Sequence, residues 1–442
     1  MLNRETMKAD ELTRRQFMVN AARSYLGVTV APMLGASIAG ISLGESAKRG
    51  SGPGKLAEHV IFLNMSGGMS HLDTFDVKPG NKEVQGPVEA IATSGDFQIS
   101  QYLPKTAEVG GHMCLINSMN SKQGAHEQGQ YLLHSSYSPR GTIVHPAIGS
   151  WVLKMKGRQN TTLPGFVSVG GNPKSATSGF FGAEYAGVPL GRPDEGLKNS
   201  KLADTVGEED FTKRLAMADA LNKGFHEKYQ TPQVKAYDSL YDEAVKLMKS
   251  EDLKAFEISR ESGQVRGDYG QNGFGQGCLL ARRLVEAGVR FIEVNLGGWD
   301  THYDNFTAVE GRAAVLDQGF SALIKDLDSK GLLEKTLVVI ATEFGRTPTI
   351  VSEHSNGRDH HPSCYTCVLA GAGVKGGTTY GKSDKSGHKV DSDGVTVQDL
   401  NATIGYAMGL QSDKVLMSPS GRPFRMAGAD AELGKPLTSV FV

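Results

Sequence analysis

Four short polar segments of the sequence contain the aspartate, glutamate and histidine residues whose spacing could support chemistry. Carboxylates and imidazoles together suit zinc, manganese or iron, and oxygen ligands alone suit magnesium or calcium. We therefore expect divalent metal ions (zinc, manganese, calcium or magnesium) as cofactors. The candidate ligands are Asp73, Asp300, His302, Glu343, His360 and His361.

The spacing of these residues limits what each could do. Asp300 and His302 are two positions apart, so in an extended segment both side chains can point the same way. His360 and His361 are adjacent and cannot easily bind the same ion, so one would be a ligand while the other orients it or contacts substrate. The two histidines therefore remain alternatives for one ligand position.

Three further residues are candidates for catalytic roles. Arg346 and Arg358 would supply planar guanidinium groups that hold an anionic oxyacid or carboxylate. His126 begins a predicted helix, and the positive end of a helix favours a nucleophile or an anion. We interpret His126 as a nucleophile, a general acid or base, or a ligand. The alternative is that it simply caps the helix.

Each motif by itself also has a purely structural interpretation. Asp73 could be a turn or N-cap residue, and Glu343 could form an ion pair with Arg346 that closes a turn. The functional interpretation depends on all four segments meeting in space, which requires particular secondary-structure elements around them.

Short apolar segments that alternate with helical ones predict those elements. Buried strands are predicted at 59–63, 289–294, 336–341 and 366–370. Continuous apolar strands separated by helices indicate an α/β fold, with a mainly parallel central sheet and helices on both faces. Function in such sheets collects beyond the carboxyl ends of the strands. Three polar segments follow a predicted strand and the fourth shortly precedes one, so we expect all four at one edge.

The N-terminus predicts export. An arginine pair at 14–15 precedes Phe17, and a charge-free run follows at 24–44. This layout is typical of a twin-arginine signal peptide, which we assign to residues 1–45. The alternative is a permanent membrane anchor. The signal predicts the twin-arginine export machinery as a partner, a periplasmic or extracellular location, and membrane contact only through this segment.

The rest of the chain is predicted to be a single domain, residues 55–442, with a charged helical insertion at about 208–260. The net charge of the 442-residue sequence is −1, so nothing indicates a nucleic acid as a partner. The four cysteines are too few for a disulfide scaffold.

Several motifs resemble the domain of unknown function 1501 family. They are the segments at 67–79, 281–290, 298–302, 343–347 and 357–362, in that order. The family is similar to the alkaline phosphatase and sulfatase superfamily, which implies an alkaline-phosphatase-like fold and a centre of one or two metals that acts on phosphate or sulfate esters. The resemblance implies that Asp300 and His302 bind one metal, joined by His360 or His361. It also places Glu343 where the superfamily has a metal-binding aspartate.

The sequence departs from the superfamily pattern in three places. Ser66 stands where a metal-binding aspartate normally follows the first strand, Phe344 replaces a histidine, and His126 stands at the position of the nucleophile. We therefore expect an exported metal-dependent hydrolase of phosphate, sulfate or related esters, with an altered centre and a small-molecule or polysaccharide ester substrate. The alternative is a catalytically inactive scaffold that acts as a periplasmic binding or assembly protein.

Overall fold

A computed structural model describes residues 57–171, 175–197, 200, 202, 205–229 and 242–442. The predicted signal peptide, residues 1–45, lies outside these described residues. Among the described residues, no helix is long and apolar enough to cross a membrane.

The strands are, in chain order, β1 (His59–Asn64), β2 (Ala90–Ala92), β3 (Gln98–Ser100), β4 (Met113–Asn120), β5 (Phe166–Val169), β6 (Val188–Leu190), β7 (Phe291–Asn295), β8 (Thr336–Ala341), β9 (Gly345–Arg346), β10 (His360–His361), β11 (Tyr365–Ala370), β12 (Thr378–Tyr380), β13 (Lys382–Ser383), β14 (Val390–Ser392), β15 (Val395–Thr396), β16 (Leu416–Met417) and β17 (Pro423–Phe424). The helices are α1 (Lys82–Gln85), α2 (Pro104–Glu108), α3 (His126–Ser135), α4 (Ile148–Lys156), α5 (Glu208–Lys228), α6 (Gly263–Tyr269), α7 (Gly273–Glu286), α8 (Asn305–Ser329) and α9 (Val397–Ala407).

The central sheet has the strand order β12-β4-β11-β8-β1-β7-β5-β6, and β15 also pairs with β4. Strand β1 is parallel to β7 and β8, and β5 is parallel to β6 and β7. Strand β11 is antiparallel to both of its neighbours, β4 and β8. The prediction of a mainly parallel sheet is therefore confirmed, with β11 as the exception.

The direction of β11 follows from its connection to β8. No helix long enough for a crossover connects the two strands, so the chain re-enters the sheet from the edge at which β8 ended. The start of β11 therefore lies at the same edge as the carboxyl ends of β1, β7 and β8. The segment around His360 precedes β11 and is placed at this edge.

Helices cover both faces of the sheet. Along β1, Ile61 and Leu63 belong to one buried cluster, which they share with helices α7 and α8. Val60 and Phe62 belong to a second cluster, which contains residues of α3, α4 and α9. Alternate side chains of a strand point to opposite faces, so each face of β1 packs against its own layer of helices. The fully buried strands explain why the sequence shows continuous apolar runs.

The predicted insertion at about 208–260 is mainly helical where the structure describes it, with short 3-10 helices at Glu251–Phe256 and Ile258–Arg260. Helix α5 is 21 residues long and its described side chains are exposed or half-buried. A second helical stretch occupies 242–248. Residues 230–241 lie outside the described part of the chain.

Candidate metal centre

The carboxyl edge of the sheet brings one carboxylate and three imidazoles together. Asp300 and His302 follow β7, His126 is the first residue of α3, and His360 lies in the short strand β10. Strand β10 pairs with β9 in an antiparallel register that places His360 opposite Arg346. The four side chains therefore come from three separate segments, of which those at 298–302 and 357–362 were expected at this edge.

The four side chains converge on one carboxylate oxygen. The Oδ1 atom of Asp300 lies 3.3 Å from Nε2 of His126, 3.1 Å from Nε2 of His302 and 3.4 Å from Nε2 of His360. The Nε2 atoms of His302 and His360 are 3.0 Å apart. The Asp300 side chain is 48% exposed, so a small molecule in solvent can reach the cluster.

The other nitrogen of each ring, Nδ1, faces an oxygen that can only accept a hydrogen bond. These three hydrogen bonds are His126 Nδ1 to Glu343 Oε1 at 2.6 Å, His302 Nδ1 to Asp359 Oδ1 at 2.8 Å, and His360 Nδ1 to the Gly124 carbonyl at 2.7 Å. Each Nδ1 must therefore carry a hydrogen. In a neutral imidazole the Nε2 atom then has a lone pair and no hydrogen.

This arrangement fits a divalent cation. Lone pairs on the Nε2 atoms of His302 and His360 face each other at 3.0 Å, and that contact requires a proton or a cation to be favourable. The buried Nε2 atom of His126 has no hydrogen-bond partner. One extra proton could satisfy one ring, but protonating all three beside the Arg346 guanidinium would gather several positive charges. Three imidazoles and a carboxylate are ligands suited to zinc and similar transition metals.

Histidine ligands of metals typically donate their second N–H to a carboxylate or a carbonyl, which fixes the ring and makes it more basic. All three histidines here have such a partner. His126, Asp300 and His360 also form a group whose ligand atoms all lie within 4.8 Å of one another. The hydrogen-bond partners of the Nδ1 atoms and the spacing of the ligand atoms therefore both indicate a single metal position.

The surroundings shift the pKa values of the cluster. The hydrogen bond to Glu343 raises the pKa of His126, and burial lowers that of His360. Burial by itself would raise the pKa of Asp300, but the hydrogen bond and charge of Arg346 outweigh it and hold that pKa at about 2. Asp300 is therefore a carboxylate at any physiological pH.

Glu343 contacts the cluster through a hydrogen bond to His126. Its buried carboxylate accepts hydrogen bonds from His126 Nδ1, from the Gly67 amide at 2.9 Å and from Gln130 Nε2 at 2.7 Å. The sequence predicted it as a ligand. In the structure its contacts are those of a residue that orients His126 and fixes the turn after β1.

Arg346 is fully buried and holds the centre together. Its guanidinium donates to Asp300 Oδ1 and to the carbonyls of Gly67, Gly68 and Arg358. With these donors engaged within the protein, the expectation that Arg346 holds a substrate anion does not fit the geometry. The residue instead fixes the position and the charge of Asp300.

Arg358 is also fully buried, and all of its N–H groups are used. It forms a bidentate pair with Asp73, at 2.9 Å and 3.0 Å, and donates to the carbonyls of Val84, Thr347 and Pro348. The expectation that Arg358 binds a substrate anion therefore does not fit either. Because the Asp73 carboxylate is occupied by Arg358 and Asn305, Asp73 does not join the three histidines as the predicted ligand.

His361 faces away from the centre. Its Nε2 atom bonds the carbonyl of His388 at 2.7 Å, and its ring stacks at 6.3 Å from that of the buried His71. Adjacent residues in a strand point to opposite sides, which is why only one of the pair can reach the cluster. Of the two adjacent histidines, the structure therefore brings His360 and not His361 to the cluster.

The sequence interpretation missed Asp359 and the Gly124 carbonyl, which fix the rings of His302 and His360. It also missed Gln130, one turn into α3, whose amide bonds both Glu343 and Asn64. Asp359 is directly next to His360, and that adjacency was the available signal. The role of Gly124 could not be read because a backbone carbonyl has no sequence signature.

A family model for a protein of unknown function, DUF1501, matches residues 57–437. The chain belongs to this family, which confirms the resemblance seen in the motifs. No curated protein matches the sequence.

Three solved structures illustrate what the fold is similar to. The lipoteichoic acid synthase LtaP of Listeria monocytogenes is 10% identical, with 86% of this chain and 76% of that chain covered and a TM-score of 0.40. The PsFucS1 sulfatase of Pseudoalteromonas sp. is 14% identical, with coverages of 89% and 73% and a TM-score of 0.38. The periplasmic domain of EcEptC from Escherichia coli, in complex with zinc, is 8% identical, with coverages of 82% and 84% and a TM-score of 0.37. At these values the likeness assigns no activity to this chain.

Proposed function

We propose that this DUF1501 family member binds a divalent metal ion through His126, Asp300, His302 and His360, and that it is an exported hydrolase of phosphate, sulfate or related esters. The observation that carries the proposal is the convergence of three imidazole Nε2 atoms on Asp300 Oδ1 while every Nδ1 hydrogen is engaged elsewhere. A cation in that place replaces an otherwise unfavourable contact between lone pairs.

Such an ion would supply Lewis-acid stabilisation of negative charge on an ester oxygen. The protein contributes the remaining parts. Arg346 keeps Asp300 ionised, and Glu343 keeps the lone pair of His126 pointed into the site. The site opens to solvent beside Asp300, and the first turn of α3 adds the positive end of a helix. These features suit an anionic tetrahedral substrate group.

One feature favours the second candidate, a metal-binding scaffold without turnover. The first residue of α3 is a histidine whose two nitrogens face Glu343 and the metal position, so no hydroxyl or thiol occupies that place as a nucleophile. An enzyme with this centre would have to use water as the nucleophile. A scaffold would bind the same metal and hydrolyse nothing.

Metal content tests the metal centre, which the hydrolase and the scaffold have in common. Protein purified without chelators, then offered zinc or manganese, should contain bound metal by mass spectrometry. His360→Ala should lose it, whereas the adjacent His361→Ala should retain it because His361 faces His388. No metal at neutral pH, or equal loss in the two variants, would refute the centre.

A substrate panel then separates hydrolase from scaffold. Aryl phosphates, phosphodiesters and aryl sulfates should be tested with metal-loaded protein, with Asp300→Ala as the inactive control. Turnover that disappears in the variant supports the hydrolase. Stable metal binding with no turnover across the panel supports the scaffold and refutes the ester hydrolase proposal.

A further inference from the structure

A cavity of about 520 Å³ lies at the same edge of the sheet, where β5, β6 and β7 end. Its walls include Gly170 after β5, Gly191 after β6 and Leu296 after β7, and the first turn of α7 closes one side. Small-molecule sites in proteins are usually ~300–1,000 Å³, so this cavity can hold one small organic group.

The charged groups in the wall are mostly cationic. Three arginines line the cavity, Arg192, Arg266 and Arg312, against a single carboxylate, Asp194. Arg192 is already paired with Asp194 through two hydrogen bonds, at 3.2 Å and 2.7 Å. Asp194 also interacts electrostatically with Arg266, so the positive charge that remains for a ligand belongs to Arg312 and in part to Arg266.

These two arginines have donors to spare. Arg266 uses its Nε–H in a hydrogen bond to Gln276 at 3.2 Å. Among the residues that the structure describes, the terminal nitrogens of Arg266 and the whole guanidinium of Arg312 have no hydrogen bond or ion pair. This contrasts with Arg346 and Arg358, whose donors are engaged within the protein. Helix α7 adds the partial positive charge of its N-terminus to the same wall.

The cavity adjoins the metal centre. Leu296 is in its wall, and Asp300 is only four residues further along the chain. A Cβ atom built on Gly298, midway between them, would lie 2.5 Å from Nε of Arg312. Arg312 therefore packs directly on the segment that carries Asp300. One short segment therefore contributes Leu296 to the cavity wall and Asp300 to the metal centre.

We propose that this cavity is a second anion site, in which Arg266 and Arg312 bind a carboxylate, sulfate or phosphate group of a substrate whose ester lies at the metal centre. The substrate would then be an ester that carries a further anionic group, and such an ester would have a lower KM than a simple monoester that is also hydrolysed. The link to a substrate rests on the proposed hydrolase function, but the anion site itself does not.

Binding of inorganic phosphate and sulfate to EDTA-treated protein tests the site without the metal. Calorimetry should show one anion per chain, and Arg266→Ala/Arg312→Ala should weaken binding about tenfold per arginine, or on the order of one hundredfold for both. The control, Arg214→Ala/Arg422→Ala, removes the same charge from exposed positions outside the cavity and should bind as the wild type does. Arg266→Lys/Arg312→Lys, which keeps the charge, should bind with intermediate affinity.

Absence of anion binding to the wild type, or equal binding by wild type and Arg266→Ala/Arg312→Ala, overturns the proposal. Metal titration of the same double variant should give wild-type affinity, so failure of the anion site is distinguishable from failure of the metal centre. With metal-loaded protein, the double variant should raise KM for an ester with a second anionic group by a larger factor than it changes KM for an aryl phosphate, which has no such group. An equal rise for both substrates would contradict the assignment.

Discussion

Replacing Glu343 by glutamine distinguishes a residue that orients a ligand from the ligand itself. Glutamine has nearly the same shape, and its carbonyl can still accept from His126 Nδ1 and from the Gly67 amide. Its amide group would face Gln130, whose own amide must turn and so give up the bond to Asn64 at 3.1 Å. The substitution therefore removes the negative charge behind His126 while leaving the geometry nearly intact.

The expected loss of zinc affinity can be estimated separately for a residue that orients a metal ligand and for a metal ligand itself. Removing a partner that orients a metal ligand typically lowers affinity ~10–100-fold, which is about 1.4–2.7 kcal/mol. If binding is worth about 10–16 kcal/mol for a four-ligand site, an equal share for one ligand is roughly 2.5–4 kcal/mol, or about 60–1,000-fold. Glu343→Gln should thus weaken zinc binding by ~10–100-fold, and His126→Ala by more.

Competition with a fluorescent chelator at pH 7.5, about one pH unit above the ordinary histidine pKa, measures both affinities. Urea denaturation of the metal-free variants shows whether each still folds. Wild-type zinc affinity in Glu343→Gln would refute the orienting role. A loss as large as that of His126→Ala would show that Glu343 is itself a ligand, as the sequence first suggested.

Three other outcomes follow from the same geometry. Metal affinity should fall as pH is lowered, because protons compete for the ring nitrogens. The loss of affinity should begin above the usual histidine pKa, since Glu343 raises the pKa of His126. Metal titrations at several pH values measure this, and an affinity that does not change with pH would contradict it. Asp73→Ala should lower the free energy of unfolding by about 3–5 kcal/mol, because it leaves the buried Arg358 charge unpaired. A change below about 1 kcal/mol in urea denaturation would contradict the claim that this buried pair stabilises the fold. Gly67→Ala should weaken metal binding and destabilise the fold by more than the ~1–3 kcal/mol of backbone strain, because its Cβ would lie 2.7 Å from the Asp300 amide nitrogen. The control is Gly80→Ala, which has a similar positive φ but open space around it and so measures the backbone strain alone. Equal effects of the two substitutions would refute the contact argument.

Much of the fold could be predicted from the sequence. The continuous apolar runs at 59–63 and 336–341 correspond to β1 and β8, which are buried on both faces. Burial on both faces leaves no polar alternation, so the pattern indicates a central parallel strand. The direction of β11 could not be predicted, because apolar composition is the same for either direction. It depends on the missing crossover helix between β8 and β11.

The location of the candidate site residues could be predicted from the sequence better than the role of each residue. The strand-end rule located Asp300, His302 and His360 at one edge, because the carboxyl ends of parallel strands meet there. It also gathered Asp73 and Arg358, which pair with each other away from the histidines. An exposed ligand and a buried ion pair use the same residue types, and sequence spacing alone does not separate them.

The sequence by itself determined the family, the mainly parallel sheet and the short list of polar residues at its edge, because apolar periodicity and motif order are properties of the chain. The tertiary structure decided which nitrogen of each histidine is free and that His360 rather than His361 joins the cluster. It also decided that Glu343 and Arg346 contact the cluster through His126 and Asp300, whereas Arg358 pairs with Asp73. Those choices depend on hydrogen bonds that include several between residues more than 200 positions apart, such as His126 and Glu343, which are 217 apart. Such contacts arise only when separate strands bring their loops to one edge.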